Sequence, residues 1–346
     1  MKIGLAGYQG SGKSTLFEWL TGVRPDAALA HTSQHAMAPL ADPRIEPLAK
    51  IYRPKKIVSA VLELVDTAGL SRSHEGNAAR LAQIRETGCL VLVTGTFEPG
   101  RNALADVDGI ADDFLLTDLE TVSSRIERLR ESVKKNRPER DAELAQLAAL
   151  EPLIAALESG TPLSEAGMND EQLKVTRSFR LLTEKPRFVV FNTLDDSNDA
   201  KSLVDQLAAR TPPLRSVAVP ARLELELLQM DPEERDTFRQ EMGIVSFDRE
   251  ALLRMLLDAS GQMLFFTANE KEVRTWTLPQ GGTAREAAGG IHTDLARGFI
   301  RAEVMKAEDL IRLGSEREMK AHGLVRQEPK DYVVQDGDIL NIRFSV

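Results

Sequence analysis

The chain has 346 residues, of which 28% are charged and 42% hydrophobic, and its formal net charge is −9. That length leaves room for two or three domains with sizeable cores; the acidic balance argues against broad, non-specific coating of nucleic acid but not against a local basic patch, and no specific DNA binding is expected. Cys89 is the single cysteine, so an internal disulfide is excluded; no apolar stretch reaches membrane-spanning or signal-peptide length, and the expected setting is the cytoplasm, with no membrane contact.

The chain opens with MKIGLAGYQGSGKST, read as an apolar strand (Ile3 to Ala6), a glycine-rich loop and a helix starting at Ser14. Gly7, Gly12, Lys13 and Ser14 satisfy G-x-x-x-x-G-K-[ST]. Glycines let such a loop curl with its backbone N–H groups inward, an anion nest that runs on into a helix N-terminus. The expected phosphate contacts are Gly7, Gly10, Ser11, Gly12, Lys13, Ser14 and Thr15. Lys13 would reach the β- and γ-phosphates, and the Ser14 hydroxyl would ligate Mg²⁺.

Leu16 to Leu20 continue the helix to about Gly22. Residues 23–47 carry no periodicity, and a long irregular loop in such a place is usually functional. A residue that senses Mg²⁺ and the γ-phosphate would lie here, with Thr32 or Ser33 the candidate and Thr32 preferred. The strand Val61 to Val65 then runs into Asp66-Thr67-Ala68-Gly69. A D-x-x-G turn at a strand's end, downstream of a phosphate loop, delivers Asp66 toward Mg²⁺ and the Gly69 N–H toward the γ-phosphate. Lys13 and Gly69 are therefore the catalytic candidates. Leu70 to Asn77 reads as a polar second switch loop, and Cys89 to Val93 as a buried strand, with the thiol a core group.

Leu115, Leu119, Val122, Ile126, Leu129 and Val133 follow at heptad spacing, and Leu144, Leu147, Leu150, Ile154 and Leu157 repeat an apolar pattern beyond Pro138. An antiparallel helical hairpin is predicted, with Pro152 a candidate kink. Its turn region, Arg125 to Arg140, carries seven Lys/Arg against three Glu, a net of +4 in an acidic chain. Asn169 is read as the cap of a further helix that ends before Pro186. The strand Arg187 to Phe191 leads into Asn192-Thr193-Leu194-Asp195, which is similar to the guanine-reading N-K-x-D element with Thr193 in place of lysine. Asn192 and Asp195 are the candidate base contacts, and the loop Pro220 to Arg222 after the strand Leu214 to Val219 is a further one. Strands alternating with helices predict a parallel-rich α/β sheet with its ligand at the strands' C-terminal ends.

From about Met263 the pattern changes. Glu272 to Thr277 is strand-like, Pro279 to Gly282 a turn, Thr283 to Ile291 a helix and Phe299 to Met305 a strand. Tyr332 to Val334 and Ile339 to Phe344, about the turn Asp336-Gly337-Asp338, are predicted to form a hairpin. These parts imply a β-grasp interaction module, and His292 reads as a turn-fixing residue.

FTANEKEVRTWT (266–277), GGIHTDLARGFIRAEV (289–304), KDYVVQDGDILNIRFSV (330–346), LELVDTAGL (62–70) and ADPRIEPLAKIYRPKKI (41–57) together resemble the YchF family, the Obg-like ATPases among the P-loop proteins. The resemblance implies a G domain over 1–112 and 186–262, an inserted helical arm over 113–185 and a C-terminal TGS domain over 263–346. It also implies ATP and GTP binding with slow hydrolysis, and a monomer that meets the ribosome or its rRNA through the basic arm, the TGS domain or both. Where members usually carry Asn, this chain has Gly10, so little stimulation by potassium is expected. Leu70 occupies the place of the water-orienting Gln of Ras-like proteins, as is typical of the family. The family's histidine in the loop after the Cys89–Val93 strand has no counterpart in residues 95–105, with His74 the nearest alternative. Two further readings use the same loop: a nucleotide-binding scaffold without significant hydrolysis, and a phosphotransferase.

Overall fold

The computed structural model describes residues 1–346 apart from 98–99, 136, 195–197, 243, 245–246, 346 and the side chains of 198 and 199. Its chain forms two units, Met1–Ala36 with Glu63–Phe247, and Met37–Leu62 with Asp248–Val346. In chain order the elements run β1 (Lys2–Ala6), α1 (Lys13–Thr21), β2 (Gln34–Pro39), α2 (Ile45–Tyr52), β3 (Lys56–Val58), β4 (Val61–Asp66), α3 (Asn77–Arg85) and β5 (Cys89–Gly95). The hairpin helices α4 (Ala103–Ser132) and α5 (Arg140–Glu158) follow, then α6 (Asp170–Thr176), β6 (Arg187–Asn192), α7 (Asn198–Ala208), β7 (Ser216–Val219), α8 (Ala221–Gln229) and α9 (Pro232–Met242). The last stretch holds α10 (Arg249–Ala259), β8 (Gln262–Ala268), β9 (Glu272–Pro279), α11 (Ala284–Ile291), α12 (Thr293–Arg297), β10 (Phe299–Lys306), α13 (Ala307–Leu313), α14 (Glu316–Ala321), β11 (Arg326–Glu328) and β12 (Asp338–Phe344).

The first sheet has the order β2-β4-β1-β5-β6-β7. β1 lies parallel between β4 and β5, and β6 runs parallel to both β5 and β7. Every residue of β5 is buried, as a central parallel strand covered on both faces requires, and this is why its sequence is a continuous apolar run. Burial among those strands pushes the Cys89 thiol up to about 12, so it is a core group. Leu81 and Ile84 of α3, and Val107, Ile110 and Phe114 of α4, pack on Leu92, Val189 and Phe191 of the sheet. The irregular stretch predicted over 23–47 is more ordered than its composition implies. It contains a short 3₁₀ turn, Ala27–Leu29, and the edge strand β2, in which Ala36 and Ala38 are buried and alternate with exposed His35, Met37 and Pro39.

The hairpin forms as its spacing requires. Val122, Ile126 and Leu129 of α4 bury against Leu150, Leu153 and Leu157 of α5, with Leu115, Leu119, Leu147 and Ile154 half-buried beside them. α4 begins at Ala103, well before the first seam residue, because the Asn102 side chain accepts from the N–H groups of Leu104 and Ala105 and starts the helix there. Pro152 is accommodated without ending α5. Asn169 does cap a short helix, through a reciprocal capping box with Gln172, and α6 ends at Thr176, before Pro186 as expected.

The second unit carries the sheet β11-β10-β12-β8-β9-β3. Phe265 and Phe266 of β8 enter opposite cores, as the two-residue period demands: Phe265 with Leu278, Ala287 and Val304, and Phe266 with Leu48, Val273 and Leu310. The expected hairpin of Tyr332–Val334 with Ile339–Phe344 is not formed. β12 pairs antiparallel with β10 and parallel with β8, while Asp338 accepts from the Gln335 N–H and the Tyr332 hydroxyl and turns the preceding chain away. β3 joins this sheet through parallel pairing of Lys56–Val58 with Glu272–Arg274 of β9. His292 caps α12 by accepting from the Asp294 N–H, the turn-fixing part expected of it.

Candidate functional site

β1 ends at Ala6, and the loop to α1 turns through left-handed Gly10 (φ 76°) and Gly12 (φ 85°), conformations that favour glycine. A Cβ at Gly7 would overlap the Val93 carbonyl, and one at Gly12 the Asn192 side-chain nitrogen, so the loop is packed tightly against β5 and β6. Two backbone bonds tie it to the turn after β4: Leu70 N–H to Gly7 O and Gln9 N–H to Leu70 O, both 2.9 Å. Lys13 is buried, and its Nζ donates to the carbonyls of Gly7 (3.2 Å) and Tyr8 (3.0 Å). Burial lowers its pKa to about 8, with Asp66 opposing the shift and Arg101 and Arg80 adding to it.

Ser14 Oγ donates to Asp66 Oδ2 at 2.6 Å. The second Asp66 oxygen, Oδ1, is buried with no hydrogen-bond partner, and desolvation raises the carboxyl's pKa. An orphaned carboxylate oxygen beside a hydroxyl is a hard donor pair, the chemistry that Mg²⁺ takes with the remainder supplied by water and phosphate. No cluster of three or more His, Cys, Asp or Glu suited to a metal occurs among the described residues, as expected for a site of so few protein ligands.

A cleft of about 550 Å³ gathers Gly10, Lys13, Ser14, Thr15, Thr32, Asp66 and Gly69. Thr32 sits on its wall with its hydroxyl donating to Leu29 O at 2.9 Å. Ser11 is fully buried behind the loop. Asn192 is buried too, and both ends of its amide are spent on backbone: Nδ2 donates to Ser11 O (3.2 Å), and Oδ1 accepts from Ala221 N–H (3.3 Å). Asp195 lies outside the described residues.

Arg222 of α8, in the loop read as a further candidate base contact, lines the cleft, and so does Arg80 of α3, which reading the sequence missed. The second switch loop is also latched to α4: Arg72 donates to both Asp106 oxygens and lies over the Tyr8 ring at 4.6 Å, and His74 Nδ1 meets Asp113 Oδ1 at 2.9 Å. Arg85 completes the row at Asp118. The only prior signal was the density of basic residues in 72–85. An equally large groove between α3 and α4 is lined by His74, Arg85, Asp113 and Arg128, but it has no glycine loop to hold an anion.

A strand–glycine loop–helix with Lys13 and Ser14, faced by a strand-end Asp66 and the Gly69 turn, defines a P-loop nucleoside triphosphatase. Residues 2–122 match the family described as a 50S ribosome-binding GTPase, and 263–345 match the YchF GTPase C-terminal family, described only as a protein of unknown function. The "Ribosome-binding ATPase YchF" of Haemophilus influenzae is 35% identical over 363 residues, covering 100% of this chain and 99% of the relative. That of Escherichia coli O157:H7 is 35% identical over 364 residues at the same coverage. The solved Schizosaccharomyces pombe YchF GTPase superposes with a TM-score of 0.82 at 24% identity, covering 99% of this chain and 97% of that one. The chain belongs to the YchF family.

Proposed function

We propose that this protein is a slow, Mg²⁺-dependent ATPase that also accepts GTP and works at the ribosome. The observation that carries the reading is the orphaned Asp66 Oδ1 beside Ser14 Oγ, on the floor of a cleft that also holds Lys13 and Gly69. Ser14 and Asp66 would hold Mg²⁺, with Thr32 on the cleft wall the candidate third ligand; the ion would supply charge neutralisation at the phosphates. Lys13 would then exchange its two loop carbonyls for phosphate oxygens, and the N–H groups of Gly10, Gly12, Ser14 and Thr15 would wrap the anion, while the Ser11 N–H is held by Tyr8 O at 3.2 Å. The Gly69 N–H meets the terminal phosphate. Leu70 offers no hydrogen bond to water, which supports slow turnover.

ATP is the preferred nucleotide on three grounds. The curated relatives are named as ATPases. Asn192 is committed to bracing the phosphate loop against α8. Thr193 stands where a guanine reader has lysine. Ribosome binding is supported by the relatives' names and by the basic end of the arm. The domain division proposed is a G domain over 1–112 and 186–262, the arm over 113–185 and a TGS-like module over 263–346, with Met37–Leu62 and residues 248–262 grouped with the module rather than with the G domain. Titrating Mg-ATP and Mg-GTP against wild type, Lys13→Ala and Ser14→Ala tests the site. Both variants are expected to lose nucleotide binding while keeping the fold; unchanged affinity in both refutes the assignment.

A further inference from the structure

We infer that Arg80 is an arginine supplied in cis to the transferring phosphate, and that Asn77 is the residue that positions it. This rests on the nucleotide reading above and goes beyond it by naming the charge that the hydrolytic step uses. Arg80 is half-buried in the wall of the cleft that holds Lys13, Asp66 and Gly69. It is near enough to Lys13 for the two charges to act on each other. Its hydrogen bonds go from one nitrogen only, Nη1, to Glu75 O (3.1 Å) and Asn77 Oδ1 (3.2 Å). The guanidinium is therefore anchored at one corner, with Nη2 and Nε left for an incoming anion.

The anchor is continuous with the catalytic turn. Asn77 is 4% exposed, and its amide bonds both backbone atoms of Ser71: Oδ1 accepts from Ser71 N–H (2.8 Å) and Nδ2 donates to Ser71 O (2.9 Å). Ser71 follows Leu70, which is bonded in both directions to the phosphate loop. Arg80 is thus fixed, through Asn77 and Ser71, to the same backbone that presents Gly69. A cation held this way needs little reorganisation when charge develops.

In the step, a water oxygen forms a bond to the γ-phosphorus as the bond to the β–γ bridging oxygen breaks. The bridging oxygen leaves with the electron pair on the nucleoside diphosphate, and both protons of the water end on the released phosphate, as dihydrogen phosphate. Charge grows on the bridging and equatorial oxygens, where an arginine acts most strongly. Neither Leu70 nor Gly10 can supply it here.

The test uses the full-length protein as wild type, Arg80→Ala and Arg80→Lys. Single-turnover Mg-ATP hydrolysis, affinity for a Mg-bound non-hydrolysable ATP analogue, and capture of Mg-ADP with aluminium fluoride are measured together. Arg80→Ala is expected to slow hydrolysis about 100-fold and to abolish aluminium fluoride capture. Its analogue affinity should stay within about threefold of wild type, with Arg80→Lys recovering part of the rate. Hydrolysis and capture unchanged in Arg80→Ala overturn the inference. So does a parallel loss of analogue affinity and rate, which makes Arg80 a brace for the loop. A wild type that binds neither ATP nor the analogue defeats the nucleotide reading itself, and this inference with it.

Discussion

Gly12→Ala and Gly22→Ala form a matched pair that measures how tightly the phosphate loop is built. Both glycines are left-handed, at φ 85° and 73°, and an alanine held in that region costs about 1 kcal/mol at either site. The surroundings differ. Nothing lies within 4 Å of a Cβ at Gly22, so its substitution should cost that backbone strain and little else. At Gly12 the Cβ overlaps Asn192 Nδ2, a buried amide that bonds Ser11 O and Ala221 N–H. Displacing Asn192 forfeits both bonds and leaves buried polar groups unpaired, adding about 2–3 kcal/mol. The alternative, a shift of the loop itself, spoils the nest: a similar energy taken from binding weakens nucleotide about 100-fold. Trp19 reports the first unit, buried in α1 with its ring 6.0 Å from that of Phe247, and Trp276→Phe removes the other tryptophan. Urea unfolding followed at Trp19, with nucleotide titration beside it, gives both quantities. If Gly12→Ala proves no worse than Gly22→Ala in either, Asn192 does not brace the loop and the packing argument fails.

Two other outcomes are expected. In the arm, Arg130 pairs with Glu151, Lys134 with Glu131, and Arg140 donates to Val133 O, so part of the basic run is internally satisfied. Replacing Lys134, Lys135 and Arg137 together with Glu should still abolish co-sedimentation with ribosomes and flatten its salt dependence by about three counterions. Unaltered sedimentation at every salt concentration transfers the contact to the C-terminal module. In the second unit, Arg44 pairs with the buried Asp42 at 2.7 Å and lies over the Phe266 ring at 5.0 Å, while its partners Glu308 and Asp336 are largely exposed. Arg44→Ala leaves Asp42 buried and uncompensated, and should destabilise the unit by about 3 kcal/mol in urea unfolding followed at Trp276. A loss below about 1 kcal/mol would place Asp42 in effective contact with water.

What the sequence made legible was local. The phosphate loop is readable because its residue types fall at a fixed short spacing, and the hairpin because its apolar spacing is sustained for turns on end. The β-grasp part was legible in its helix and in β9 and β10 for the same reason. Its closing hairpin was misread because a tight Asp-Gly-Asp turn between short apolar runs fits two pairings equally well. The deciding contacts, β12 with β10 and β8, join residues far apart in the chain. β3 was invisible: three residues carry no periodicity, and their partner in β9 lies more than two hundred positions on.

The same contrast runs through the site. Lys13, Ser14, Asp66 and Gly69 were found from pattern, and the structure gathers them into one cleft. Asn192 was read as a candidate base contact because its place after a strand is similar to the N-K-x-D element; its bonds to Ser11 O and the Ala221 N–H depend on α8 and the loop and were not legible. The acids of α4 were harder still. A carboxylate on a charged amphipathic helix normally reads as solvated. Asp106, Asp113 and Asp118 instead receive Arg72, His74 and Arg85 in order, along one helix, from the segment that begins just after the Gly69 turn. Asp118 is fully buried and also accepts from the Thr183 N–H and hydroxyl, which return the chain from the arm. A single helix therefore carries the second switch loop at one end and the arm's apolar seam at the other. Arg72, lying also over Tyr8 of the phosphate loop, is where the nucleotide site and the loop after Gly69 share one side chain with the helix that leads into the arm.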